Sequence, residues 1–374
     1  NKPIHYLINQ HNLTVDSSTF SEVGYLAFIN STNISVKNLN LLNNFQGILF
    51  AYSSGCTMNG VNATNNWYGI HLKNSPNCKI EGNNASNNFD YGIALRISGS
   101  CVVSKNNVSD NNWGGISLGF CSSCTITENE VSNSYYGIHL VDSTNCLVIG
   151  NNVDKISNGY SIVIYRSDNN VIYHNNFVNY FIYAYAGSTN IWDNGLEGNH
   201  WKNYNGIDAN QDGVGDAPYS LDENNKDNYP LMGIISDFTV SFQQEMYHIT
   251  VISNSTISNF NFGTMHFNES MKVISFNVTG PNDTIGFCRI MIPRNLVEGP
   301  YTVLVDGIEV NTTELPISNS TCAFLYFTYT HDSHQITIIP EFSTVIVLPM
   351  ITTLLLLSVV LQKRKPSTKN CNGL

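Results

Sequence analysis

The chain has 374 residues, enough for more than one domain, and only 12% of them are charged. Its 17 Lys and Arg against 28 Asp and Glu give a formal net charge of −11, which excludes the basic footprint of a nucleic-acid binder. Asn, Ser, Thr and Tyr stand in place of the charge, a polar uncharged coat unlike that of an ordinary cytosolic enzyme.

Residues 1–191 are repetitive. A glycine followed by isoleucine returns at Gly47, Gly69, Gly92, Gly115 and Gly137, at intervals of 22, 23, 23 and 22 residues. "SPNCKIEGNNASNNFDYGIALRIS" is followed by "SGSCVVSKNNVSDNNWGGISLGFC" and "SSCTITENEVSNSYYGIHLVDS". A fixed period of this length, with β-branched runs, Asn and Gly turns and no 3.6-residue pattern, predicts one solenoid coil per repeat. Each coil reads as two short strands, such as "CKIEGNN" and "GIALRIS", whose alternate residues point inward. Asn83, Asn106, Asn129, Asn151 and Asn175 share one turn position, where Asn is expected because it tolerates left-handed backbone. Stacked at roughly 4.8 Å, such coils give an all-β, right-handed parallel β-helix.

Asn33, Cys56, Cys78, Cys101, Cys124, Cys146, Asn170 and Asn190 form a second ladder in the same coils. Its five cysteines read most simply as small buried groups. A disulfide between rungs or a metal-thiolate stripe are the alternatives. Cys121 and Cys124 form the one CxxC pair, and Cys288 and Cys322 are candidate disulfide partners further on.

Two residues before each repeat glycine stand Phe45, Trp67, Asp90, Trp113 and Tyr135, and one before stand Tyr68, Tyr91, Tyr136 and Tyr160. Such a stripe either stabilises the coil corner or stacks on sugar rings, since an aromatic face offers apolar area with a polar rim. The candidate carbohydrate-binding residues are Trp67, Tyr68, Tyr91, Trp113, Tyr135 and Tyr136, with His71, Lys73 and Arg96 nearby. The alternative is a polysaccharide lyase or hydrolase. Hydrolysis needs two carboxylates about 5 to 10 Å apart, whereas Asp90, Asp110, Glu128, Glu130 and Asp142, with Lys105 and Arg166, scatter over different faces. No catalytic residue is assigned, and a binding or structural module is favoured over an enzyme.

Segment 192–232 reads as a cap that protects the last sheet edge. In it Asp208, Asn210, Asp212 and Asp216 stand at positions 1, 3, 5 and 9 of a loop, with Gly213 at 6 and the Val214 carbonyl at 7. Calcium takes six to eight oxygens, and alternating acids around a glycine turn supply them. Tyr219 departs from the pattern at position 12, where Asp222, Glu223 or Asp227 would have to contribute. Calcium in a structural role is the expected cofactor.

Residues 234–338 carry longer alternating strands with turns at Gly280-Pro281, Gly299-Pro300 and Asp306-Gly307, the pattern of an immunoglobulin-like β-sandwich spacer. Residues 342–361 run without a charge for about 20 residues, enough to span a bilayer as one helix. Lys363, Arg364 and Lys365 follow, which places the tail 362–374 in the cytoplasm and the rest outside. Sequons at Asn12, Asn30, Asn62, Asn84, Asn107, Asn254, Asn268, Asn277, Asn282, Asn311 and Asn319 favour export and a glycoprotein. The start, "NKPIHYL", shows neither initiator Met nor signal peptide, so a fragment or processed form is expected. Expected partners are the membrane, through that helix, and surface polysaccharide or other envelope proteins.

The repeated "NNxxxNNxYGIxL" coils and the closing "GNHWKNYNGIDANQDGVGDAPYSLDENNKDNYPLM" together resemble the periplasmic copper-binding NosD family of pectin-lyase-like β-helices, over roughly Ser31 to Met232. Pro340-Glu341-Phe342 before the terminal apolar run resembles the sorting signal of archaeal surface proteins, which implies processing near that motif. The resemblance also implies copper delivery to an oxidoreductase. Copper needs clustered Cys, His or Met, but His71 and His139 lie three rungs apart, roughly 14 Å. His5, His11, His174 and His200 form no ligand spacing, so copper is not expected.

Overall fold

The computed structural model describes residues 2–341 apart from 21, 155–158, 179–181, 185–186 and 265–271. The apolar segment 342–361, the cations after it, Phe342 of the sorting-type motif and the sequon at Asn268 lie outside the described residues. Among the described residues no helix is long and apolar enough to cross a membrane. The chain divides into two compact units, the first comprising Asn1–Asp237 with Thr250–Ser255 and Phe287–Arg289.

The first unit is a parallel β-solenoid of the right-handed type. Its first sheet has nine strands, among them Gln46–Ala51, Tyr68–Lys73, Tyr91–Arg96, Gly114–Gly119, Tyr136–Val141 and Tyr160–Tyr165. The second has eight, from Thr14–Val15 to Val171–Tyr173. A third runs from Asn107–Ser109 to His200–Trp201, and Asn84 bridges it to the earlier pair Asn40–Leu42 and Asn62–Thr64. Each coil thus holds three strands where the sequence pattern suggested two. The third is two or three residues long and mostly polar, as in Asn107–Ser109 and Glu130–Ser132, so its composition reads as turn.

Register puts like on like. Ile48, Ile70, Ile93, Ile116, Ile138 and Ile162 stack along the first sheet, and Val36, Met58, Ile80, Val103, Ile126, Val148 and Ile172 along the second. All of these are buried, each contributing about 1.5–3 kcal/mol of transfer free energy.

Four columns of polar side chains hold the corners. In the best formed, the backbone N–H of Asn83, Asn106, Asn129, Asn151 and Asn175 donates to the side-chain oxygen of the next Asn, at 2.9–3.1 Å, ending at Asn199. These asparagines do not adopt left-handed backbone, as their turn position suggested. The residue before each does: Gly82, Lys105, Glu128, Gly150 and His174 have φ of 54–65°. The asparagines are conserved in chemistry along the column because a buried amide both accepts from one rung and donates to another. Two further columns escaped the sequence pattern: Asn66, Asn88, Asn111 and Ser134, and Ser53, Ser75, Ser98, Cys121, Ser143, Ser167 and Ser188.

The cysteine column is present, with one correction. Thr57 pairs with Ser35, so Ile34, not Asn33, is the counterpart of Cys56; Asn33 is a left-handed residue, φ 53°. Cys121, the other member of the CxxC pair, lies in the serine column, accepting from Ser98 N. Cys56, Cys78, Cys101, Cys121, Cys124 and Cys146 are buried and in no disulfide, and the same holds for Cys288. Cys322 is also free, so the Cys288 and Cys322 disulfide does not form.

Each column points its N–H groups toward the next rung, so the last rung needs an outside acceptor. Segment 192–232 supplies two. Asn190 N donates to Asn225 Oδ1 at 3.1 Å, and Asn199 N to Asp227 Oδ2 at 2.7 Å. The indoles of Trp192 and Trp201 donate to the same two side chains.

The second unit comprises Phe238–Ile249, Thr256–Gly286 and Ile290–Leu374. Its strands Thr256–Thr264, Lys272–Thr279, Ser333–Pro340, Tyr301–Val305 and Ile308–Glu309 form an antiparallel five-stranded sheet. Alternate residues Ile274, Phe276 and Val278 are buried, as are Ile336, Ile338 and Val303, the period-two pattern of a sheet with one covered face.

Candidate functional site

The outward side of the first sheet collects the unusual chemistry. The repeat glycines create it. At Gly92 a Cβ would stand 2.4 Å from Val108 Cγ1, and at Gly115 2.4 Å from Val131 Cγ1. Neither has positive φ, so glycine is required by the close approach of the opposite wall. That tight corner directs the preceding aromatic residues out of the coil.

Two aromatic runs result. Phe45, Trp67 and Phe89 stack in sequence, with centroids 5.6 and 4.2 Å apart. Trp113, Tyr135, Tyr136 and Tyr160 form the other, with Trp113 over Tyr135 at 5.8 Å and Tyr136 over Tyr160 at 6.2 Å. Phe89, not Asp90, continues the stripe beside Trp67; the sequence reading missed it because that coil is offset by one residue. Phe45, Phe89 and Trp113 are 61%, 55% and 50% exposed, and Trp67 and Tyr135 remain more than a third exposed. Tyr68, Tyr91 and Tyr136 are half-buried. Of the six candidate residues, Trp113, Tyr135 and Tyr136 are thus in mutual contact, while Trp67 and Tyr68 share Phe45 as neighbour.

Beside the runs, further along the same strands, lies a column of smaller side chains. His71, Ala94, Ser117 and His139 are successive register partners, flanked by Lys73, Arg96, Gly119 and Val141. Tyr68 stacks on His71 at 4.9 Å, and the Tyr91 hydroxyl lies 2.8 Å from His139 Nδ1. Burial holds the pKa of His71 down to about 4, helped by Lys73 and Arg96, and burial does the same for His139. Both imidazoles are neutral at pH 7. Tyr68 is pushed up to about 12 by burial and by its bond to the Asp90 carboxylate. Both histidines face outward, half-covered by the neighbouring rings of Tyr68 and Tyr136. A cavity of about 290 Å³ opens further along, lined by Tyr136, His139, Tyr160, Val163, Tyr165 and Tyr183.

The acidic residues weighed for catalysis do not gather. Asp142 pairs with Arg166 at 2.7 Å and Lys105 with Glu128 at 3.5 Å. Glu130 accepts from Asn152, and Asp110 from Asn133. Asp90 is the acid beside the column on the first sheet, near His71, Tyr68 and Tyr91.

In the cap, the oxygen-rich loop closes on itself. Asp208 accepts from the N–H groups of Asp212 and Gly213, Asp212 from Val214, and Asp216 from Ala209, at 2.7–3.0 Å. Asn210 donates to Asp212 Oδ2 at 3.1 Å. Gly213 turns the loop with φ +80°. Among the described residues, no three His, Cys, Asp or Glu side chains group closely enough to hold a metal ion.

The family described as "Periplasmic copper-binding protein (NosD)" matches residues 8–206. Among curated proteins none matches the chain. Among solved structures, the Dettilon tailspike protein gp208 is similar at 12% identity and TM-score 0.38, over 86% of this chain and 80% of that one. A mutant tailspike of E. coli bacteriophage HK620 in complex with a pentasaccharide is similar at 12% identity and TM-score 0.31, over 90% and 75%. The tailspike gp49 of Acinetobacter baumannii bacteriophage Fri1, a capsular polysaccharide depolymerase, gives 9% identity and TM-score 0.23, over 84% and 68%. At such scores the likeness is too slight to transfer any property.

Proposed function

The chain belongs to the NosD family, and on that β-solenoid scaffold we propose that the outward side of its first sheet binds saccharide, making the protein a carbohydrate-binding module. The observation that carries this reading is the pair of aromatic runs, one ring or more per rung, exposed on a rigid sheet. Exposed apolar rings cost hydration free energy unless a ligand covers them, and ring faces next to hydroxyls and imidazoles suit a sugar. Trp67 and Trp113 are the platform residues; Tyr68, Tyr91, Tyr135 and Tyr136 supply edges and hydroxyls. The test is retention of the purified protein on a glycan panel, with product analysis by mass spectrometry. Intact glycans retained by the wild type and lost on Trp113→Ala support binding. Cleaved or unsaturated products would replace it with an enzyme.

The family's name implies copper, and the residues present do not fit it. The solenoid thiols lie inside the coils, their Sγ atoms 3.3–3.8 Å from backbone carbonyls. Ala94 and Ser117 separate the two histidines of the face. Among the described residues, no soft donor set converges on one accessible point.

Three further elements are proposals from the sequence pattern. The loop of Asp208, Asn210, Asp212, Val214 and Asp216 takes calcium in a structural role. The second unit is an immunoglobulin-like spacer, consistent with its antiparallel sheet. Segment 342–361 anchors the chain at the cell surface, with cleavage near Pro340-Glu341-Phe342; fractionation and terminal sequencing of the mature protein test that placement.

A further inference from the structure

We propose that the saccharide taken by this face is acidic, its carboxylate or sulfate received by Lys73 and Arg96; the inference rests on the saccharide reading above and names the ligand's charge. Lys73 and Arg96 are register partners on adjacent strands, one rung apart, about 4.8 Å between backbones. Like charges directly opposite each other in a sheet repel. Here neither side chain has a carboxylate within ion-pair distance among the described residues. Both are exposed, and the Arg96 guanidinium sits 5.8 Å over the Phe120 ring, which fixes its plane and leaves its N–H fork open to an anion.

A second observation points to the same spot. His71 Nδ1, in the neighbouring column, is buried without a hydrogen-bond partner. A buried orphan nitrogen costs free energy that a bound hydroxyl would recover. Asp90 is the acid nearby, and it is engaged with Tyr68. Lys73 and Arg96 against Asp90 leave one surplus positive charge on a chain whose net charge is −11. A local cationic spot on an acidic protein, at the far end of the strands that the aromatic residues open, matches a sugar that presents a ring face and an anion together.

The experiment is affinity electrophoresis or titration calorimetry of the purified protein with three probes: a uronic-acid oligosaccharide, its carboxyl-reduced neutral counterpart, and that neutral oligosaccharide carrying O-sulfate. Binding of either anionic probe about tenfold tighter than the neutral one, weakened by salt, is the expected result. The Lys73→Met, Arg96→Gln double variant then loses that preference while keeping neutral binding. The uronate and sulfate arms identify which anion is recognised. Equal affinity for all three, abolished by Trp113→Ala, overturns the acidic reading and leaves the saccharide reading intact. Binding of none overturns both. If the double variant fails to fold, the salt dependence of the wild type alone decides.

Discussion

The Tyr91 hydroxyl reaches His139 Nδ1 at 2.8 Å although 48 residues separate them in sequence. The contact crosses a whole rung, and Gly114 permits it: a Cβ there would stand 2.4 Å from Tyr91 Cε1. Where neighbouring coils carry Tyr68, Tyr91, Tyr136 and Tyr160, this one carries glycine, and the Tyr91 ring lies in the space. A neutral His139 offers Nδ1 as acceptor, so the bond favours the uncharged ring. Tyr91→Phe should therefore raise the His139 pKa from about 4 by up to about one unit, the equivalent of one hydrogen bond of about 1 kcal/mol. Gly114→Ala, by displacing the ring, should do the same. An NMR titration of the His139 ring that shows no movement in either variant would mean that burial alone neutralises it.

Corner columns differ in what they hold. Asn129 Oδ1 accepts from Asn106 N, and its Nδ2 donates to Val103 O and Asn151 Oδ1, all at 2.9–3.0 Å. Cys124 Sγ makes two long contacts to carbonyls, at 3.3 and 3.8 Å. Asn129→Ala strands the buried Asn106 N–H and withdraws the Nδ2 donor from the Val103 carbonyl, while Asn151 Oδ1 keeps the Asn129 backbone N–H; at about 1–3 kcal/mol for a stranded group, it should cost about 2–4 kcal/mol in urea unfolding. Cys124→Ala should cost about 1 kcal/mol. Equal costs would show that the columns act by shape and not by hydrogen bonding.

Acid should loosen the solenoid. His71, His139 and His200 are each held down to about 4, burial being the largest cause in all three. Their folded pKa values lie below the unfolded value of about 6.5. Their contribution is therefore complete above pH 6.5 and is lost as pH falls through 4, at most about 3 kcal/mol apiece. Asp227 works in the opposite sense. Burial pushes it up to about 6, so its protonation favours the folded state as pH falls. Three histidines outweigh one carboxylate, and the urea midpoint should drop between pH 7 and pH 4.5. His200→Gln should flatten that profile, whereas Asp227→Asn should steepen it. A midpoint independent of pH over this window would contradict the burial of these rings.

The coil, its period and its stacked Ile and Val columns were legible because a solenoid repeats its core every 22 or 23 residues, so one pattern is read several times over. The corner chemistry was half legible. Asn83 to Asn175 stood out by identity, but their role was misread as conformational, since an Asn beside a turn and an Asn inside one look alike in sequence. The serine column was invisible because Ser is common and Cys121 interrupts it. On the face, Trp67 and Trp113 were found by position relative to glycine, while Phe89 was missed by one residue. The Tyr91 to His139 contact had no sequence signal at all, because it skips a rung.

Calcium offers the sharpest test of the cap. Asp208 is shifted above the ordinary carboxylate range by burial, which prevails over its bonds to Asp212 N and Gly213 N, with Asp212 and Asp216 adding like-charge repulsion. A divalent cation would relieve that crowding, and the loop offers oxygen donors alone, the set that hard cations take. Stabilisation by a bound ion grows as RT ln(1 + [L]/Kd), about 2.7 kcal/mol at a hundred times Kd. Calcium at that excess should raise the melting temperature and protect segment 192–232 from protease. A chelator should reverse both effects, and Asp208→Asn or Asp212→Asn should abolish them. Magnesium, which demands a tighter octahedral shell, should do little. Loop variants that melt with the wild type in both calcium and chelator would remove the ion from the cap. Asn225 and Asp227 would then be left to hold the last rung through the acceptors they present to Asn190 and Asn199.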